Sequence, residues 1–192
     1  MCETIDPCLE AVAARRHLGL IRLRLLDTRA AAQELDRALA LIAAEGLQDT
    51  LEYSPTLLAC SDVRAASGDR SVATVLAEHA LEAARTVHGQ AEARIALALL
   101  NITPADVDTA TDHVRKALDI AEFVGGERLL GLAQRAAARV AAAKHQFTTA
   151  RALFSSALKH LDDARAPLDR ALVETEQRRF LECASYGQAG PP

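Results

Sequence analysis

Four stretches of the chain repeat one arrangement of apolar positions: alanine, an apolar residue four places on, and alanine again three places later. They are Ala31, Leu35 and Ala38; Ala73, Ala77 and Ala80; Ala110, Val114 and Ala117; and Ala150, Phe154 and Ala157. The first three are followed at once by Leu39, Leu81 and Leu118. Offsets of three, four and seven fall on one face of an α-helix, and small side chains there let a neighbouring helix approach closely. The last alanines of successive copies lie 42, 37 and 40 residues apart. That irregular period of about 40 suits repeats built from paired helices. The alanine pair should form the seam inside each hairpin, with Phe154 filling the gap between hairpins.

Punctuation between the periodic stretches predicts helices over residues 8 to 27, 29 to 45, 55 to 67, 70 to 88, 90 to 101, 105 to 124, 127 to 144, 147 to 164 and 168 to 184. Asp6, Ser54 and Thr103 each precede a proline, the order expected of a capping side chain and a first helical residue. Gly46, Gly68, Gly89, Gly125 and Gly126 stand where left-handed helix ends belong. Pro167 separates the fourth hairpin from a last helix, whose Leu168, Leu172 and Phe180 should cover the apolar end of the array. The expected organisation is one all-α domain over residues 1 to 185, with a disordered tail over 186 to 192.

The quoted spacing resembles the second helix of the tetratricopeptide repeat (TPR), which carries alanine, an aromatic residue or leucine four on, and alanine three further. Twelve residues before each leading alanine the family places a small residue after leucine. Here Leu18 with Gly19 and Leu97 with Ala98 match, Ala137 with Ala138 supplies the fourth copy, and Cys60 with Ser61 is a weaker match. The chain departs from the family in lacking the Trp and Tyr of the first helix, the terminal proline and the usual shorter period. The looser style is similar to the C-terminal repeat regions of large bacterial transcriptional activators, although no ATPase loop or helix-turn-helix accompanies it. The resemblance implies a right-handed superhelical array of about four TPR-like hairpins with a C-terminal capping helix.

Composition agrees with helices and narrows the chemistry. Half of the 192 residues are apolar but only 3% are aromatic, and alanine, the best helix former, dominates the apolar set. A net charge of −4 from 22 basic and 26 acidic side chains gives no overall field for nucleic acid or an anionic membrane. No signal segment is expected at the N-terminus, and no apolar run approaches the roughly 18 residues that span a bilayer. Cys2, Cys8, Cys60 and Cys183 have no framework spacing, which suits free thiols in a reducing cytoplasm.

Candidate catalytic patterns are thin. The stretch "FVGGERLL" lacks the Lys and Ser or Thr of a phosphate loop and reads as a helix end. His79 with Glu82, and His160 with Asp163, are single pairs where a divalent ion needs more ligands, and Cys60 in "LLACSD" reads as a small buried hydrophobe. Neither a metal nor a cofactor is expected, and no enzymatic activity.

In a TPR-like array the first helices line the concave face, and on it the register places Arg16, His17, Arg24, Asp62, Glu92, Arg135 and Arg139. Arginine predominates, and its planar fork matches carboxylates. The expected function is a scaffold binding a protein or peptide partner with acidic groups. The alternatives are an effector-sensing helical domain linked to bacterial transcriptional regulation, and a helical enzyme without a legible site. Arg135 and Arg139, one turn apart, are expected to be exposed. Self-association through uncovered end hairpins is a further expectation.

Overall fold

One kind of turn recurs along the chain. At residues 26, 68, 145 and 165 the backbone swings into the left-handed region, with φ of 63°, 86°, 58° and 51°. In each case two backbone bonds close the preceding helix: at the first turn Leu26 N–H donates to Leu23 and Asp27 N–H to Arg22. This is the Schellman arrangement, which satisfies carbonyls that the helix end leaves unpaired. Only Gly68 is glycine, so Leu26, His145 and Arg165 adopt a conformation that L-residues ordinarily avoid.

The computed structural model describes residues 7 to 188, with side chains described to residue 183. Among them the secondary structure is helical, with no strand: α1 (Pro7–Arg24), α2 (Thr28–Ala44), α3 (Tyr53–Ala66), α4 (Arg70–Ala83), α5 (Val87–Leu100), α6 (Val107–Val124), α7 (Glu127–Ala143), α8 (Phe147–Asp163) and α9 (Pro167–Gln188), with a short 3₁₀ turn at Leu47–Asp49. Each expected helix is present with shifted ends. No helix is long and apolar enough to cross a membrane.

The residue after the left-handed one starts the next helix. Asp27 accepts from Ala30 N–H at 3.0 Å, and Asp69 accepts from Val72 N–H at 3.4 Å. Gln146 occupies the same place before α8 without a side-chain bond, and Asp106 precedes α6. Counted from these four caps, the repeated alanines stand four and eleven residues on, and Leu35, Ala77, Val114 and Phe154 stand eight on. All twelve are buried, none more than 7% exposed. The small residues of the first helices are buried as well: Gly19, Ser61, Ala98 and Ala138. Ser61, the weak match, donates its hydroxyl to the Ala73 carbonyl at 2.7 Å. A Cβ on Gly19 would lie 2.8 Å from Leu35 Cγ, so glycine there permits a close approach of α1 to α2.

Several boundary expectations are corrected. Pro55 is the third residue of α3, where its missing N–H still costs no helical bond, and Ser54 is buried with its hydroxyl on the Ala80 carbonyl at 2.7 Å rather than capping. Thr103 closes a turn with Asp106, and α6 starts three residues past Pro104. Gly89 lies inside α5, beneath the Thr86 hydroxyl that accepts its N–H at 3.0 Å, and does not end a helix. Gly46, Gly68 and Gly125 are left-handed as expected, whereas Gly126 is extended. The expected tail begins inside α9, which continues to Gln188. Asp6, Cys2 and residues 189 to 192 lie outside the described residues.

Contacts divide the chain into two compact units, Met1–Leu100 and Asn101–Pro192. In the first, α1 pairs with α2 and α3 with α4, and the first helices α1, α3 and α5 are successive neighbours. Its core joins Ala31, Leu35, Ala59, Cys60 and Val63, with a second cluster of Val12, Ala38 and Ile42. In the second, α7 pairs with α8, and α9 packs on both. There Ala138, Phe154, Ala157, Leu161 and Val173 form the core, with Phe180 against it. The covering helix therefore uses Val173 and Phe180; Leu168 and Leu172, expected to share that task, are 62% and 44% exposed. The division falls between α5 and α6, the two helices of the third expected hairpin.

Candidate functional site: the cleft between α7 and α9

Two ion pairs set the register of α9 on α7. Arg128 Nε lies 2.7 Å from Asp169 Oδ2, and Arg135 meets Glu176 through two bonds of 2.7 Å, from Nε to Oε2 and from Nη2 to Oε1. Both pairs span 41 residues and they lie seven apart, two helical turns, so α7 and α9 run alongside in the same direction. Arg139 Nη1 reaches the same Glu176 Oε1 at 3.3 Å.

Beyond these pairs lies a cleft of about 430 Å³ lined by Ile102, Arg139, Ala142, Ala143, Phe154, Glu176, Arg179, Phe180 and Cys183. Its floor is aromatic and aliphatic: the Phe154 and Phe180 rings are 5.6 Å apart between centroids, and Phe147 stands 6.1 Å from Phe180. Its rim is charged. Arg139 remains 39% exposed beside Glu176, and Arg179 is exposed with no ion-pair partner among the described residues. A guanidinium over an apolar floor can hold a carboxylate while aliphatic or aromatic groups fill the space below.

The expected set of seven residues is thus only partly gathered. Arg135 and Arg139 do come together, but around a carboxylate of their own chain, and the expectation that both are exposed is corrected for Arg135, whose side chain is 13% exposed. The cause is α9, which lies along the face that the register assigned to a partner. In the first unit, Arg16 turns to Glu52 at 3.1 Å, while His17 and Arg24 are exposed two turns apart on another face of α1. Asp62 is exposed on α3, and Glu92 is half-buried on α5 with His88 at 3.5 Å. Sequence reasoning missed Glu176, Arg179 and the position of Cys183. The signal for Glu176 was present, because Arg128 with Asp169 and Arg135 with Glu176 share one offset close to the repeat period.

Other titratable groups are committed elsewhere. His160 Nδ1 contacts Glu127 Oε2 at 2.5 Å rather than Asp163. Cys8, Cys60 and Cys183 are free thiols. Burial first, and the nearby Asp36 carboxylate second, push the Cys60 thiol up to about 12. It stays protonated at neutral pH, which suits a packing role. Among the described residues no three His, Cys, Asp or Glu side chains converge as a metal site would need. No protein-family model matches the chain, and no curated protein matches it.

Proposed function

We propose that the chain is a TPR-like repeat protein that binds a partner and catalyses no reaction, with its hairpins wound into a right-handed superhelix and α9 as the end cap. The observation that carries the reading is the packing register repeated from four helix caps, with alanine at the fourth and eleventh positions and an apolar residue at the eighth. A repeat of this kind uses its second helices for packing, so the first-helix surfaces are what it offers to other molecules. The partner is a protein or peptide segment bearing carboxylates, held at the cleft by Arg139 and Arg179 with apolar side chains on Phe180. The looser period relates it to the repeat regions of bacterial transcriptional activators, and its free thiols suit a cytoplasmic setting.

A sensing role has one specific observation in its favour. The cleft volume of about 430 Å³ lies within the range of roughly 300 to 1,000 Å³ typical of small-ligand sites. Two measurements separate the readings. A short peptide of Glu and Leu residues should bind the wild-type chain, weaken as salt rises, and bind Arg179→Glu about ten-fold less tightly. Citrate, as a compact carboxylate, should leave the melting temperature unchanged. If citrate stabilises the protein and the peptide fails, the sensor reading replaces the scaffold. If neither binds, both readings fail.

A further inference from the structure

On α1 the buried residues Val12 and Gly19 face the core, and the opposite face carries an apolar stripe. At 100° per residue, positions 14, 18, 21 and 25 fall within about 60° of one another. Ala14 is exposed, and Leu18, Ile21 and Leu25 are 39%, 55% and 74% exposed. Leu26, at the left-handed turn, extends the stripe and is 88% exposed. Scattered exposed leucines are ordinary, but a stripe at helical spacing over two turns is the footprint of a helix lying alongside.

The flanks specify what that helix carries. His17 and Arg24 border the stripe on one side, Arg15 and Arg22 on the other, and Arg29 stands just past the turn. Residues 7 to 30 hold five arginines against Glu10 and Asp27, in a chain whose net charge is −4. We infer that the exposed face of α1 docks an amphipathic helix of a partner protein, with leucine-like residues on the stripe and carboxylates on both flanks. A second copy docking α1 against α1 would bring two arginine-rich faces together. An anionic membrane fits less well, because α1 has no aromatic residue to sit at the interface. Arg15 and Arg22 also bring the carboxylates Glu34 and Asp27, at 3.1 Å and 3.9 Å, towards any headgroups.

The test uses the full chain and a labelled, end-capped synthetic helix with leucines at three- and four-residue spacing and glutamates on its flanks. Its lysine-flanked counterpart is the control, and fluorescence anisotropy at low salt is the readout. The glutamate helix should bind at least about ten-fold more tightly than the lysine helix, and the double variant Ile21→Glu with Leu25→Glu should lose about ten-fold. Circular dichroism should report unchanged helix in that variant, since both side chains are exposed. Arg179→Glu should bind the helix as wild type does, which separates this face from the cleft. No binding, equal binding of the two helices, or indifference to the double variant overturns the proposal. So does wild-type dimerisation that the double variant abolishes, which would make the occupant a second copy. Cosedimentation with phosphatidylserine vesicles that the same variant abolishes would put lipid on the face instead, and equally overturns it.

Discussion

Buried side chains in this protein do one of two jobs, and substitution separates them. Phe154, 1% exposed, fills the space where α8 meets α9, so Phe154→Ala should destabilise by about 3 to 5 kcal/mol in denaturant unfolding. Cys60 is a packing residue whose thiol resists ionisation. In the native protein it should escape alkylation by iodoacetamide at pH 8, where Cys183 reacts, and unfolding should expose it. The sign of its pH effect follows: its proton is held from the ordinary value of 9.0 up to about 12 in the folded state. Its contribution to stability is full below pH 9 and is lost as pH rises through that window. Arg135 and Glu176 show a third case, charge used for docking one helix on another. Glu176→Gln should cost about 1 to 3 kcal/mol, read as a lower denaturation midpoint. An unchanged midpoint would mean that the pair contributes nothing to holding α9.

At the scale of elements, spacing made most of the fold legible. The triplets led by Ala31, Ala73, Ala110 and Ala150 located four second helices, because a 3.6-residue period and small side chains leave few other arrangements. The caps were less legible. Ser54 and Thr103 precede prolines as caps do, yet a hydroxyl bonded across to α4 and a local turn claimed them instead, contacts that no local pattern encodes. The left-handed Leu26, His145 and Arg165 were hidden for a related reason: glycine marks such turns, and these three accept the strain. Leu26→Gly removes a left-handed penalty of about 1 to 2 kcal/mol and adds chain entropy worth about 0.5 to 1 kcal/mol to the unfolded state. The net should be a stabilisation of roughly 0.5 kcal/mol, seen as a small rise in melting temperature; a fall would mean that exposed Leu26 makes a stabilising contact.

Across the whole molecule, two units each place first helices beside one another, α1, α3 and α5 in the first and α7 and α9 in the second. The candidate site was half legible. Arg139 was found because arginines one turn apart are conspicuous. Arg179 and Glu176 were not, because only the docking of α9 on α7 brings them there. That docking also changes the meaning of the arginine cluster, which meets Glu176 before any partner arrives. The account's central claim is that the surface beyond this internal pair, from Arg139 to Arg179, receives the carboxylates of a partner. Amide chemical-shift mapping of the full chain during titration with the Glu and Leu peptide tests it most directly. The predicted result is a set of shifts concentrated at Arg139, Ala142, Ala143, Arg179 and Phe180, absent in Arg179→Glu and diminished by salt. Shifts confined to other helices, or an identical map from the Arg179→Glu variant, would contradict it.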